Sequence, residues 1–163
     1  MNIRIVTKAK PKPKSNSNGA SPFRVEIVPV GSLKNHPRNY REHPDDQLMH
    51  IEESIRENGF YRNVVVARDG TILAGHGVVK AARKMKQSHV PVIRLDRAPD
   101  DPKALKVLIG DNEIGNLAEI DDRSLTETLK QLREADDLLG TGYDEKMLAA
   151  LVFVTRPASE IAS

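Results

Sequence analysis

The sequence predicts an α+β domain: a small sheet of about four short strands with packed helices, followed by an acidic helical segment. Between residues 25 and 95, short β-branched runs alternate with apolar residues at helical spacing, and after residue 100 only helical spacing remains. The 163 residues suit one domain with tails, and 39% hydrophobic residues supply its core. We expect a tail at 1–22, a core at 23–98, a helical extension completing the domain at 99–155, and a second tail at 156–163.

The first segment of the chain is predicted to be a disordered basic tail. Pro, Ser, Asn, Gly and Lys dominate residues 8–21. Residues 1–100 hold 18 basic and 10 acidic side chains, whereas residues 101–163 hold 7 and 13. The tail therefore predicts contact with the phosphate backbone of DNA without sequence preference, although a solubilising end explains the same composition.

Several classes of function are excluded or disfavoured by composition. The chain has no Cys, which excludes disulfides, thiolate zinc sites and a cysteine nucleophile and fits a reducing, cytoplasmic location. It has no Trp and only 4% aromatic residues, which disfavours stacking platforms for single-stranded nucleic acid. No apolar run approaches the roughly 20 residues that span a membrane.

The predicted elements follow one another closely along the chain. A strand at 25–28 ends at Pro29, and a polar loop occupies 35–43. Pro44 then opens a helix with acidic residues in its first turn, where the helix dipole favours them, and Gly59 ends that helix with Phe60 as its apolar contact. Two strands at 64–66 and 71–73 are joined by the turn Arg68-Asp69-Gly70.

A helix at 78–85 and a strand at 90–95 complete the core, and Pro91 favours an edge position or a strand start. The remaining helices are predicted from three apolar faces. These faces are Leu105, Leu108 and Ile109; Leu125, Leu129 and Leu132; and Met147, Leu148 and Leu151.

The stretch TILAGHGVVKAARK carries the clearest chemical signal, because a strand ends, glycines flank His76, and a helix begins. Free N–H groups at a helix N-terminus favour an anion, and glycine allows close approach of a phosphate. A tight turn without a ligand is the alternative. We expect His76 to be partly exposed, with a role in phosphate binding, acid–base chemistry or metal ligation. Convergence of His36, His43 and His76 on a metal is a further hypothesis.

The succession LKNHPRNYREH, IEESIRENGF and YRNVVVARDGTILAGHGVVKAARK, within residues 25–95, resembles the N-terminal domain of the ParB/sulfiredoxin superfamily. Counterparts of the family motifs are Pro37-Arg38, Ser54-Ile55 with Gly59, the Val64–Val66 strand, and Gly75–Val78 with Ala81-Ala82. The Gly-His-Gly turn is most similar to the phage and prophage branch. Sulfiredoxin chemistry is excluded, because its catalytic Cys is replaced by His76.

The resemblance implies a site for Mg²⁺ and a nucleoside triphosphate, CTP by analogy. It implies Asp111 as a catalytic acid beside the catalytic candidate His76, and Asn112 as the metal ligand. A helix-ending Asp-Asn pair that caps or turns the backbone is the alternative for Asp111 and Asn112. The nucleotide phosphates are expected at Gly75, His76, Gly77, Val78, Lys80, Arg38 and Arg62. The sequence departs from the family where Gly77 and Val78 replace two arginines, and where Glu113 to Gly115 lack a third.

Three functions remain open from the sequence. The first is a nucleotide-binding, DNA-associated module of the switch or clamp type. The second is a metal-dependent nuclease with His76, Asp111 and Asn112 at its centre, although the sequence lacks a dense acidic cluster. The third is an inert adaptor that forms a homodimer or binds a protein partner through the acidic helices at 103–152. Sequence-specific reading of DNA by those helices is not expected, because they show no basic recognition face.

Overall fold

The structure, a computed structural model, describes residues 24–157, and within them it confirms the predicted α+β fold. The predicted tail at 1–22 lies outside the described residues, as does most of 156–163. The strands are β1 (Val25–Pro29), β2 (Val64–Val66), β3 (Ile72–Ala74) and β4 (His89–Arg94). The α-helices are α1 (Asp45–Asn58), α2 (His76–Lys84), α3 (Pro102–Glu113), α4 (Asp122–Glu134) and α5 (Glu145–Thr155). None of these helices is long and apolar enough to cross a membrane.

The four strands form one mixed sheet in the order β1-β4-β2-β3. β4 runs antiparallel to β1 and parallel to β2, and β2 runs antiparallel to β3. The edge position expected from Pro91 is therefore wrong, because β4 lies inside the sheet. Pro91 is tolerated because it pairs only with Ile27 of β1, and pairing with β2 begins at Val92.

Helices α1 and α2 cover one face of the sheet and build the main core. Val64, Val66 and Ile72 from the strands pack against Val79 of α2 and Leu48 of α1, and all five are almost fully buried. Gly59 ends α1 at φ +70°, and Phe60 packs against the core, both as predicted. This packing fixes the end of β3 and the start of α2 relative to α1.

Helix α3 packs against the opposite face, where Leu73 and Ala67 meet Ala104. The predicted apolar face of this helix is partly wrong. Ala104 and Leu108 are its buried residues, whereas Ile109 is 53% exposed. Ala104 precedes Leu108 by four residues, so the two side chains lie on the same face of α3. The face that contacts the sheet therefore lies to one side of the predicted face.

Helices α4 and α5 pack against each other as a hairpin. Its buried residues are Thr126, Leu129 and Leu148, while Met147, expected inside, is exposed. The connecting loop docks on α1, because the Nδ1 atom of His50 accepts the N–H groups of Gly140 (2.9 Å) and Gly142 (3.1 Å). This loop contact ties the hairpin to the core helices.

Candidate functional site

The turn between β3 and α2 has the geometry of an anion site. Gly75 adopts φ +87°, and a side chain there would stand 3.2 Å from the Cα atom of Val64, so the turn requires glycine. α2 begins at His76 with no side-chain cap on its N-terminus. Its first N–H groups therefore lack intrahelical partners and remain available to a ligand.

A cleft of about 420 Å³ opens at this turn. Its floor is apolar and comes from Val65, Leu73 and Ile93. Its lining also brings together most of the predicted site: Gly75, His76, Gly77, Val78, Arg62, Asp111 and Asn112. A polar rim around an apolar floor, beside a helix N-terminus, suits a small ligand that carries a phosphate.

His76 is buried, with 9% of its surface exposed, so the expectation of partial exposure is wrong. Its Nε2 atom accepts the backbone N–H of His36 over 3.4 Å, a contact between residues forty positions apart. Burial, reinforced by His43 and His36, lowers the pKa of His76 from 6.5 to about 4. At neutral pH the ring is therefore uncharged, and with Nε2 as the acceptor its proton lies on Nδ1.

His36, His43 and His76 lie close together but do not form the hypothesised metal site. Within residues 24–157, no group of three or more His, Cys, Asp or Glu side chains is arranged to hold a metal ion. His36 uses both ring nitrogens, since Nδ1 accepts the N–H of Arg38 and Nε2 lies 3.1 Å from the carbonyl of Pro99. These contacts hold the loop around His36 in place and engage both ring nitrogens within the protein.

Gly77 explains how the chain accommodates the loss of an expected arginine. A Cβ atom at this position would lie 2.9 Å from Nδ1 of His43 and 3.1 Å from Cδ1 of Ile51. The ring of His43, whose Nδ1 is 3.0 Å from Oε1 of Gln47, thus occupies the space over the start of α2. The glycine and the histidine are a fitted pair, because any side chain at 77 would displace the ring.

Asp111 and Asn112 line the cleft from the last turn of α3. The Nδ2 atom of Asn112 donates to the carbonyl of Leu108 (3.1 Å), which fixes the orientation of the amide. Asp111 is exposed. Oxygen atoms of an amide and a carboxylate are therefore available at one wall of the cleft, and these are ligands that Mg²⁺ accepts.

The three predicted phosphate-binding cations occupy different places. Arg62 is exposed on the rim of the cleft. Lys80 lies just outside it and donates to the carbonyl of His43 (2.8 Å). Arg38 is exposed and is not among the residues that line the cleft, although its backbone N–H contacts His36.

Arg41, which the sequence reasoning missed, lines the cleft in place of Arg38. Its Nη2 atom donates to the carbonyl of Asn112 (3.1 Å) and lies 3.7 Å from the carboxylate of Glu113. One indication of Arg41 was present in the sequence, because it lies in the same polar loop as Arg38. The Pro37-Arg38 pair favoured Arg38, which does not line the cleft.

A second contact joins the same loop to α3. The hydroxyl of Tyr40 donates to Oε1 of Glu113 (2.7 Å), which lowers the pKa of Glu113 and raises that of Tyr40. Asn116 also donates to Glu113. The loop at 36–43 is therefore held to the end of α3 at the wall of the cleft that carries Asn112.

Comparison with known proteins identifies the family. No family model matches the chain. The ParB-like nuclease domain-containing protein YnaK of Escherichia coli K12 is 37% identical over 81 residues, which cover 50% of this chain and 93% of YnaK. The chain belongs to the ParB-like family. This confirms the predicted superfamily.

Solved structures support the fold. The C-terminally truncated chromosome-partitioning protein ParB of Caulobacter crescentus, complexed with CTP-γ-S, matches with a TM-score of 0.64 and 21% identity over 83% of this chain and 81% of that chain. A pNOB8-like ParB N-domain matches with a TM-score of 0.50 and 15% identity over 71% of this chain and 46% of that chain. At these identities the likeness establishes the ParB N-domain fold.

Proposed function

We propose that this protein is a ParB-like module that binds a nucleoside triphosphate and associates with DNA. The observation that carries the proposal is the uncapped start of α2 at Gly75 and His76, which opens into a cleft with Arg41, Arg62 and Asn112 on its walls. The Caulobacter relative in fold is a chromosome-partitioning protein complexed with CTP-γ-S, which favours CTP as the nucleotide.

The phosphates would be bound mainly by backbone groups and neutral donors. The N–H groups of Gly77 and Val78 lie in the first turn of α2, where the dipole favours negative charge. His76 would donate from Nδ1, and its low pKa means that this contact requires no protonation. Arg41 and Arg62 would supply the positive charge that the family's arginines bring from positions 77 and 78.

Mg²⁺ would be held at the α3 wall by the amide oxygen of Asn112 and the carboxylate of Asp111. Mg²⁺ takes one or two protein oxygens and keeps several waters, which fits a site with two oxygen donors. The bound ion would neutralise phosphate charge beside the start of α2. Because the Nδ2 atom of Asn112 is engaged by Leu108, its oxygen is the atom left for the ion.

The module would act as a switch rather than as a rapid hydrolase. A general acid or base works best with a pKa near the operating pH, and His76 with a pKa of about 4 is far from pH 7. The contacts from Tyr40 and Arg41 to α3 surround the proposed metal ligands. A nucleotide and Mg²⁺ bound there would change those contacts and so couple binding to the position of α3.

The direct test is a thermal-shift screen with CTP, ATP, GTP and UTP, each at millimolar concentration with and without Mg²⁺. A ligand at 100 times its Kd adds about 2.7 kcal/mol of stability, a shift of several degrees for a domain of this size. We expect a Mg²⁺-dependent shift that is largest with CTP. The absence of a shift with all four would refute nucleotide binding.

Two variants locate the site. His76→Ala and Asn112→Ala should each abolish the shift, because they remove the neutral donor and the proposed Mg²⁺ ligand. His89→Ala is the matched control, since His89 is exposed at the start of β4. Full retention of the shift in both site variants would place the ligand elsewhere.

A metal-dependent nuclease is the second candidate, favoured by the name of the Escherichia coli relative. Two-metal cleavage of phosphodiesters requires a dense set of ligands, and no group of three such side chains is arranged for a metal in residues 24–157. Incubation with supercoiled plasmid and Mg²⁺ or Mn²⁺ tests this candidate. Nicking that is lost in Asp111→Asn would establish the nuclease and displace the switch.

A further inference from the structure

A second groove, larger than the cleft, lies between α2 and the loop at 35–44. Its volume is about 780 Å³. Arg41, Lys80 and Arg83 line it, and Glu42 is the single acidic residue in its lining. The groove meets the cleft at four residues that line both: Asn39, Arg41, His43 and His76. Three cationic side chains and one acidic side chain therefore line the groove, although Arg41 lies 3.7 Å from the carboxylate of Glu113.

Two of these cations are oriented by the protein without being neutralised. Within residues 24–157, neither Lys80 nor Arg83 takes part in an ion pair. Lys80 donates to the carbonyl of His43, and Arg83 donates to the carbonyl of Leu33 (2.8 Å). An ammonium has three N–H donors and a guanidinium five, so each side chain keeps donors for a ligand. Their fixed geometry reduces the entropy lost on binding.

A ligand that contacted the whole length of this groove would need more than one phosphate. Arg83 follows His76 by seven residues, so at about 1.5 Å of rise per residue it lies roughly 10 Å along α2 from the turn. A phosphate at Arg83 is therefore a different group from one held at the helix N-terminus. Lys80 stands between them, on the same side of α2 as Arg83, three positions away.

We propose that this groove binds the phosphate backbone of DNA. A polymer with regularly spaced phosphates matches the row of basic side chains that Lys80 and Arg83 form along α2. The inference rests on the proposed association with DNA and assigns that contact to the folded domain. Its recognition is electrostatic, without reading of bases.

The test compares two neutralising substitutions in the full-length chain. Arg83→Gln removes a groove cation, and Lys84→Gln is the matched control, because Lys84 lies next along α2 and pairs with Glu52 (3.0 Å). Both substitutions remove one positive charge. If DNA bound through the tail or through net charge alone, the two variants would therefore show the same change in Kd. The readout is the Kd for a fluorescent 20-base-pair duplex by anisotropy, over a range of salt concentrations.

We expect Arg83→Gln to raise the Kd about five- to tenfold and to reduce the slope of log K against log salt by about 1, as for one lost phosphate contact. Lys84→Gln should stay within about twofold of the wild type. Lys80→Gln is a second groove variant, which decides the matter if circular dichroism shows that Arg83→Gln is misfolded.

Equal affinities for the groove variants and the control would overturn the assignment of the groove and leave DNA association itself intact. No binding of the duplex by the wild type would overturn both. Nucleotide binding is followed separately by thermal shift, and we expect Arg83→Gln to retain it. A thermal shift lost together with DNA affinity would contradict a groove distinct from the cleft.

Discussion

Two regions of the protein differ in how many side chains they bury. One is the core, which carries the cleft, and the other is the α4–α5 hairpin. Strands β2 and β3 and helix α2 contribute a contiguous set of fully buried aliphatic residues. The hairpin buries Thr126, Leu129 and Leu148 and leaves Phe153 70% exposed. Ligand-binding groups need fixed positions, and the candidate site lies where the packing is dense. The hairpin contributes fewer buried side chains than the core and contacts α1 through the loop at Gly140 and Gly142.

The largest difference in stability between the two regions should appear when one buried leucine in each is replaced by alanine. Leu48 and Leu148 are both almost completely buried. Leu48→Ala should cost about 2–5 kcal/mol of global stability, because it leaves a cavity in the main core. Leu148→Ala should open the hairpin while nucleotide binding persists. Urea denaturation and hydrogen exchange measure both effects, and global unfolding in Leu148→Ala would show that the two regions form one cooperative unit.

The pH dependence of stability should report the burial of His76. Its pKa is about 4 in the folded protein and close to 6.5 in the unfolded chain, so the unfolded chain binds more protons between these values. Stability should therefore fall as the pH drops from about 6.5 to 4, by up to about 3 kcal/mol at 1.36 kcal/mol per unit.

Denaturant titrations of the wild type and His76→Gln over this pH range isolate the contribution of that group. The difference in stability between the two proteins should shrink as the pH falls. A difference that stays constant from pH 7 to 4 would show that folding leaves the pKa of His76 unchanged.

The fitted pair at the start of α2 offers a sharper test of the cleft. Gly77→Ala places a Cβ atom 2.9 Å from the ring of His43 and should cost about 1–3 kcal/mol through overpacking. Gly115→Ala is the control, because nothing lies within 4 Å of its Cβ position. Thermal melts of the two variants give the comparison, and equal melting temperatures would mean that His43 moves aside freely.

The smallest loss of stability is expected at the contact between α1 and the loop of the α4–α5 hairpin. His50→Ala removes the acceptor for the N–H groups of Gly140 and Gly142 and should cost about 1–2 kcal/mol, confined to that loop. Hydrogen exchange at these two amides should accelerate, while amides of β2 stay protected. Unchanged exchange in the variant would place the docking energy elsewhere along the hairpin.

Much of the fold could be predicted because local patterns determine it. Gly75 after a strand, and Gly59 after a helix face, mark chain reversals that the structure confirms. The internal position of β4 could not be read locally, since it depends on β2 pairing with β4 after an intervening hairpin and helix. Pro91 gave a misleading signal because pairing on its second side begins one residue later.

The site was predicted in outline but not in its electrostatics. The cleft gathers seven predicted residues, among them Asp111 and Asn112, yet the sequence favoured Arg38 over Arg41. The neutrality of His76 arises first from its burial, and then from His43 and from His36, which lies forty residues away in the sequence. Such contacts cannot be predicted from the spacing of residues in the sequence, because they form only when the loop has folded over α2.

The central claim is that a nucleotide binds at the start of α2 and not at the hairpin. The most direct measurement is an amide NMR titration of the labelled protein with CTP and Mg²⁺. We expect the largest shifts at Gly75, Gly77, Val78 and Asn112, with Gly140 and Gly142 little changed. Shifts confined to the hairpin glycines, or none at millimolar CTP, would contradict it.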